Sequence, residues 1–274
     1  MKKFGLIGHP IAHSLSPALF KAAYGGRYPY DLIEGDDFEK SYEIFLKEYN
    51  AINVTAPFKE IACAKADIRS RECETTGAAN ILIKRDDGQI EAANSDITGV
   101  IGSIASGICT KGTSTKALIV GCGGAAMAAA YATCMLGYET VILNRNIAKA
   151  QEFAKKLSMV AGFNASAGGL NSFRSEFRKA GIIVYTLPLE IQQLDDLTGR
   201  DIRGGLFQKE RKVILEANYK DPALTPDIME EWQKANPKLT FVSGKEWLLH
   251  QAIGAYRIFT GDDPDIEAMK KVIA

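Results

Sequence analysis

The chain has 274 residues, 46% hydrophobic and 24% charged, a globular composition long enough to fill two modest cores. Lys plus Arg and Asp plus Glu each number 33, so no net field draws nucleic acid or an anionic membrane, and anionic ligands must be caught by a few placed residues. The five cysteines at 63, 73, 109, 122 and 134 form no C-x-x-C pair and, with three histidines, no metal spacing; this usage suits a reducing, cytoplasmic setting.

Met1-Lys2-Lys3 leads straight into a strand, with too short an apolar run for a signal peptide, and no stretch is long enough to span a bilayer. Strand-like runs follow at Phe4–Gly8, Tyr30–Glu34, Ala51–Thr55, Asn80–Lys84, Ala117–Val120, Thr140–Asn144, Ile182–Tyr185, Val213–Glu216 and Leu239–Val242. Amphipathic helical stretches such as Asp36–Tyr49 and Ala148–Leu157 lie between them, which predicts α/β folding with parallel sheets under helices. Residues 106–115, rich in Gly, Ser and Thr, read as the join between two halves.

In the first half, Gly8 to Pro17 ends a strand and opens a helix, with Ser16 expected as N-cap and Pro17 at the first helical position. Capping accounts for Ser16 but not for Ser14, and two hydroxyls at a helix start suit a carboxylate. In Asn53-Val-Thr-Ala-Pro-Phe-Lys59 a proline stops the strand and a lysine follows at once, a stiff mounting that a solvated lysine does not need. Thr55, Asn80 after Gly77-Ala-Ala, and Asp96 after Asn94-Ser95 add polar groups at strand ends, where open α/β folds bind ligands.

In the second half, a buried-strand run ending at Val120 is followed by Gly121-Cys122-Gly123-Gly124-Ala125 and a small-residue helix, the order a dinucleotide-binding turn requires. The next strand ends in Asn144-Arg145. No acidic residue stands there for a ribose hydroxyl, whereas Arg145 and Lys149 suit a 2′-phosphate, so NADP is expected rather than NAD.

These motifs together resemble the shikimate dehydrogenase family, in the family's order from Gly8 to Gln251. The resemblance implies NADPH-dependent, reversible reduction of 3-dehydroshikimate to shikimate. It implies Lys59 and Asp96 as the catalytic pair, and Ser14, Ser16 and Tyr219 on the substrate carboxylate. Thr55, Asn80, Gln251 and Asn53 would meet ring hydroxyls. Gly121, Cys122, Gly123, Gly124, Ala125, Asn144, Arg145 and Lys149 would hold the cofactor, with Ala217 and Gly244 near the nicotinamide. The implied architecture is two α/β domains with a cleft between them. One is a substrate domain with a mainly parallel sheet (1–104 plus C-terminal helices 244–274), the other a Rossmann-like NADP domain (105–243). The sequence departs from the family pattern at Asn146, Lys149, Met127, the segment Tyr185–Leu189 and Trp247.

Lys59 either donates the proton to the developing oxyanion or stabilises it electrostatically while water or Asp96 moves the proton. Two alternatives accompany this reading: an enzyme that also oxidises quinate, and a non-catalytic sensor of shikimate and nucleotide. The expected partners are the small-molecule substrate alone, with no metal, in a monomer or homodimer.

Overall fold

The computed structural model describes residues 1–107, 114–204 and 211–274. The expected join at 106–115 therefore lies largely outside the described residues. The chain divides into two compact units, Met1–Gly99 with Leu248–Ala274, and Val100–Trp247.

The first unit begins β1 (Phe4–Gly8), α1 (Ser16–Tyr24), β2 (Tyr30–Glu34), α2 (Phe38–Glu48) and β3 (Ala51–Val54). There follow α3 (Lys59–Lys65), β4 (Ile68–Arg69), α4 (Arg71–Thr76), β5 (Ile81–Lys84), β6 (Ile90–Ala93) and the start of α5 (Asp96–Gly107). Its six-stranded sheet has the order β2-β1-β3-β5-β6-β4. Pairs β1–β2, β1–β3 and β4–β6 are parallel, as a mainly parallel sheet requires, while β5 runs antiparallel to both neighbours. The short Arg85-Asp86-Asp87-Gly88-Gln89 connection makes β5 and β6 a hairpin, with Gly88 at φ 86°. Strand alternation splits the core. Ile52, Val54, Phe45 and Tyr42 pack on one face, while Phe4, Ala51, Phe20 and Tyr256 pack on the other.

The second unit contains β7 (Lys116–Val120), α6 (Gly124–Met135), β8 (Glu139–Leu143), α7 (Ile147–Ala161), β9 (Ala165–Gly168) and α8 (Phe173–Lys179). Then come β10 (Ile182–Tyr185), α9 (Gln192–Asp195), α10 (Gly199–Arg203), β11 (Lys212–Glu216), α11 (Pro226–Ala235) and β12 (Leu239–Ser243). Helix α12 (Gly244–Thr260) runs on into the first unit's sequence, which ends with α13 (Ile266–Ile273). The sheet order β12-β11-β10-β7-β8-β9 is parallel throughout, the doubly wound Rossmann arrangement in which the order reverses between β7 and β10. Strands β4, β6 and β9 are additions to the sequence reading.

Lys212 opens β11 with its side chain wholly buried. Its Nζ donates to the carbonyls of Phe177 (2.8 Å), Arg178 (3.1 Å) and Ala180 (2.7 Å). Three ammonium protons thus satisfy carbonyls that the end of α8 leaves without helical partners.

Candidate active site

In the first unit, two loops leave the carboxyl ends of adjacent parallel strands β1 and β3. A Cβ on Gly8 would stand 2.3 Å from Thr55 Cγ2 and 2.7 Å from Ile11 Cγ2, so only glycine lets these loops close together. The His9 amide donates to the Ala56 carbonyl (3.1 Å) and the Thr55 amide to that of Ile7 (2.9 Å). One turn later Lys59 opens α3, and its carbonyl accepts the Ala79 amide at 2.9 Å, fixing the loop that carries Asn80.

The Lys59 ammonium reaches Asp96 Oδ2 at 2.6 Å, with the two side chains 15% and 7% exposed. Asp96 is the first residue of α5, where a carboxylate is favoured by the helix N-terminus. Its amide donates to Asn94 Oδ1 (3.1 Å), and Asn94 Nδ2 donates to the Ala78 carbonyl (2.9 Å). A largely desolvated ion pair adds little net stability over an apolar substitute, so its presence beside other polar groups is better explained by chemistry than by folding.

Around this pair the amides are already oriented. Asn80 Oδ1 accepts from the Ser95 amide (2.8 Å), and Asn80 Nδ2 donates to Ser95 Oγ (3.1 Å) and Gln251 Oε1 (3.2 Å). Gln251 Nε2 donates to the Leu248 carbonyl (3.2 Å). Asn53 Oδ1 accepts from the Tyr30 hydroxyl at 2.8 Å. Ser14 Oγ donates to Ser16 Oγ (3.1 Å) and accepts the Ser16 amide (3.2 Å). The expectation that Ser16 caps α1 is corrected here. Leu15 occupies the N-cap position with no side-chain bond, and Ser16 is the first residue of the helix. The hydroxyl that serves the helix start is that of Ser14, because its side chain, two residues earlier, reaches the Ser16 amide.

In the second unit the corresponding work falls to the backbone. Gly121 has φ 120°, and a Cβ there would stand 2.4 Å from Thr186 Oγ1, which donates to the Val120 carbonyl at 2.8 Å. The turn thus sits where the sheet order reverses, between β7 and β10. Gly123 is the N-cap of α6 with no side-chain cap, and a Cβ there would meet nothing within 4 Å. The first amides of α6 are therefore open to a diphosphate in an uncrowded approach, and the turn fits a dinucleotide. Asn146 caps α7 by accepting the Lys149 amide (3.1 Å), and Asn144 Nδ2 donates to the Asn146 carbonyl (3.1 Å). Arg145 stands exposed just before that cap, with Lys149 in the first turn after it. A Cβ on Gly244 would lie 2.4 Å from the Ala217 carbonyl oxygen, so these two backbones are pressed together at the start of α12.

Ser14, Ser16, Asn53, Thr55, Lys59, Asn80, Asp96 and Gln251 thus belong to the first unit. Gly121, Cys122, Gly123, Gly124, Ala125, Asn144, Arg145, Lys149, Ala217, Tyr219 and Gly244 belong to the second. Tyr219, expected on the same carboxylate as the serines, lies in the second unit's turn after β11. Two polar side chains were not singled out from sequence: Tyr30, bonded to Asn53, and Glu216. Glu216 ends β11 buried, with Oε2 accepting the Leu224 amide (3.2 Å) and Oε1 without a partner. Burial pushes its carboxyl up to about 7. A carboxylate closing the apolar run Val213-Ile-Leu-Glu216 was the available signal. Among the described residues no group of three or more His, Cys, Asp or Glu is placed to hold a metal ion.

Known proteins resemble this chain throughout. The family model described as the shikimate dehydrogenase substrate binding domain matches residues 6–82, and that described as the shikimate 5′-dehydrogenase C-terminal domain matches 248–274. A shikimate dehydrogenase (NADP(+)) of Methanothermobacter thermautotrophicus is 31% identical over 98% of this chain and 94% of its own. The chain belongs to the shikimate dehydrogenase family. The shikimate 5-dehydrogenase of Thermus thermophilus, solved with NADP(H) and shikimate, has a TM-score of 0.79 at 27% identity, over 100% of this chain and 98% of that one. A quinate dehydrogenase from Corynebacterium glutamicum, solved with NAD, has a TM-score of 0.81 over 99% of this chain and 98% of its own, but at 22% identity it attests the fold alone. Within the shikimate dehydrogenase family, then, this chain presents a preformed Lys–Asp pair and a Rossmann-type sheet.

Proposed function

We propose that Lys59 and Asp96 are the catalytic pair of an NADP-dependent shikimate dehydrogenase. The chain is an NADP-dependent oxidoreductase acting on a CH–OH group, and it interconverts shikimate and 3-dehydroshikimate in aromatic amino-acid biosynthesis. The first unit serves the substrate and the second serves NADP. Bound NADPH supplies the hydride to the ketone carbon. Lys59 delivers a proton to the carbonyl oxygen as negative charge builds there, and takes one from the hydroxyl in the reverse direction. Asp96, 2.6 Å away, holds the ammonium in place, and α3 fixes its root.

Ser14, Ser16 and Tyr219 receive the carboxylate, while Asn53, Thr55, Asn80 and Gln251 meet the ring hydroxyls. Gly121 to Ala125 cradle the diphosphate. Arg145, with Asn144 and Lys149, takes the 2′-phosphate, and the Ala217 and Gly244 backbones face the nicotinamide. The Lys59–Asp96 contact is the observation that carries this reading, and it weighs against a non-catalytic sensor, which would have no use for a pair held in reach of a reacting oxygen. The test is absorbance at the nicotinamide band with NADP and shikimate, beside NADP and quinate. No NADPH formed from either acid would overturn the assignment, and faster turnover of quinate would move the substrate preference. The zero net charge supports a protein that binds neither nucleic acid nor membrane, and a monomer or homodimer in the cytoplasm is the state we propose with it. Sedimentation of the purified protein measures the assembly. No helix among the described residues is long and apolar enough to cross a membrane.

A further inference from the structure

The hydroxyl of Tyr30 occupies a place that the catalytic reading does not use. Tyr30 opens β2 at the sheet edge, half-buried, its ring 4.8 Å from that of Phe20 and 6.0 Å from that of Tyr256. Strand alternation turns Asn53 toward the same face of the sheet, because its neighbours Ile52 and Val54 point to the other. There the Tyr30 hydroxyl meets Asn53 Oδ1 at 2.8 Å. The orientation of this amide is determined by its second contact. Asn53 Nδ2 lies 3.4 Å from the Asn80 carbonyl, which can only accept, so the oxygen must face Tyr30 and the tyrosine must donate. Burial holds the Tyr30 hydroxyl well above its ordinary pKa, so it remains a donor throughout the neutral range. Nearby, the Ser16 carbonyl accepts the Tyr256 hydroxyl at 3.0 Å. The observed side-chain bonds here are two pairs, Ser14 to Ser16 and Tyr30 to Asn53.

We infer that Tyr30 is a positioning residue of the substrate site, locking Asn53 so that it meets a substrate hydroxyl through an N–H and never through its oxygen. Without this lock the amide can turn over, and each wrong orientation offers an acceptor where the site needs a donor. Tyr30 touches no substrate atom in this account. It acts through Asn53, the one side chain its hydroxyl is seen to bond among the described residues. The inference rests on Asn53 contacting the substrate, as proposed above.

The experiment compares wild type, Tyr30→Phe, Asn53→Ala and the double variant. Shikimate KM, NADP KM, kcat and thermal midpoint are measured for each. Tyr30→Phe keeps the ring between Phe20 and Tyr256 and removes only the hydroxyl. It should raise shikimate KM roughly three- to ten-fold, the range for one lost hydrogen bond, and leave NADP KM unchanged. Asn53→Ala should raise shikimate KM at least as much, and the double variant should be no worse than Asn53→Ala, because Tyr30 then has nothing to orient. A shikimate KM in Tyr30→Phe within about two-fold of wild type, or full additivity in the double variant, would overturn the inference. A normal KM in Asn53→Ala would remove Asn53 from the substrate site and take the inference with it, whereas a wild type inactive on shikimate would overturn the functional reading itself.

Discussion

The two units hold their proposed ligand-binding groups in different materials. The first uses side chains, and nearly every one of them is held by a second: Lys59 by Asp96, Asn80 by Ser95, Asn53 by Tyr30. The second relies on main chain without side chains, exposed at Gly123 and closely packed at Gly121 and Gly244. Damage should therefore take different forms. In the first unit a truncation removes a functional group while the strands stay paired. In the second, at Gly121 and Gly244, an added methyl has nowhere to go, and the main chain must move.

The largest expected effect lies in the first unit. Lys59→Ala should lower kcat by about two to four orders of magnitude while shikimate KM changes only a few-fold, because the loss falls on the transition state. Steady-state kinetics at saturating NADP decide it; near-normal turnover would mean that another group moves the proton. The Asp96 carboxylate, left unpaired, should also lower the melting temperature.

Arg145→Ala comes next and probes a side chain of the second unit proposed to read the ligand. A charge-assisted contact to a 2′-phosphate contributes roughly 1.5–3 kcal/mol, so NADP affinity should fall about ten- to hundred-fold. NAD affinity should hardly change. Fluorescence titrations with both cofactors, at low and moderate salt, check this, and equal losses would remove the Asn144–Lys149 turn from phosphate recognition.

Gly244→Ala sharpens the contrast. The new Cβ would press within 2.4 Å of the Ala217 carbonyl oxygen, backbone that cannot yield without displacing the end of β11. A destabilisation of about 1–3 kcal/mol is expected, with weaker NADP binding, by thermal melts and cofactor titration. Wild-type melting would show that the two backbones separate easily.

The smallest effect should be a pH dependence seated at Glu216. Folding raises this carboxyl from its ordinary 4.5 to about 7, so the folded state favours the protonated form. Its contribution to stability is complete below about 4.5 and is lost as pH rises through about 7. Glu216→Gln should flatten the decline in stability between pH 5 and 8 by roughly 1–3 kcal/mol. Parallel denaturation profiles for the two proteins would assign the dependence elsewhere.

Much of this contrast was legible in the sequence, for reasons that differ between regions. Runs such as Phe4–Gly8 and Ile182–Tyr185 match their strands end to end, since buried parallel strands are continuous apolar runs bounded by turn residues, and the edge strand Tyr30–Glu34, YDLIE, matches as well. Strand β9, Ala165-Ser-Ala-Gly168, carries no alternation to read, and β4 spans only two residues. Strand β6 was overlooked although the Asp-Asp-Gly turn before it is a hairpin signal. Lys59 and Asp96 stood out because their mountings are local in the chain. Tyr30 did not, because its partner is 23 residues away, and only the parallel pairings of β1 with both β2 and β3 place the two on one face. Ser16 misled because a serine before proline looks like a cap, while the bond to the helix start comes from Ser14.

Lys212 gives the molecule a built-in clock. Its amine is enclosed by three carbonyls, so an acylating reagent can reach it only while β11 and the end of α8 have parted. Lysines on the surface, such as Lys47 and Lys234, whose side chains are each 73% exposed, react without waiting for any such event. The lag between their labelling and that of Lys212 times the opening of the second sheet. NADP, if it binds only the closed form, should lengthen that lag by a factor of one plus the ratio of free NADP concentration to Kd.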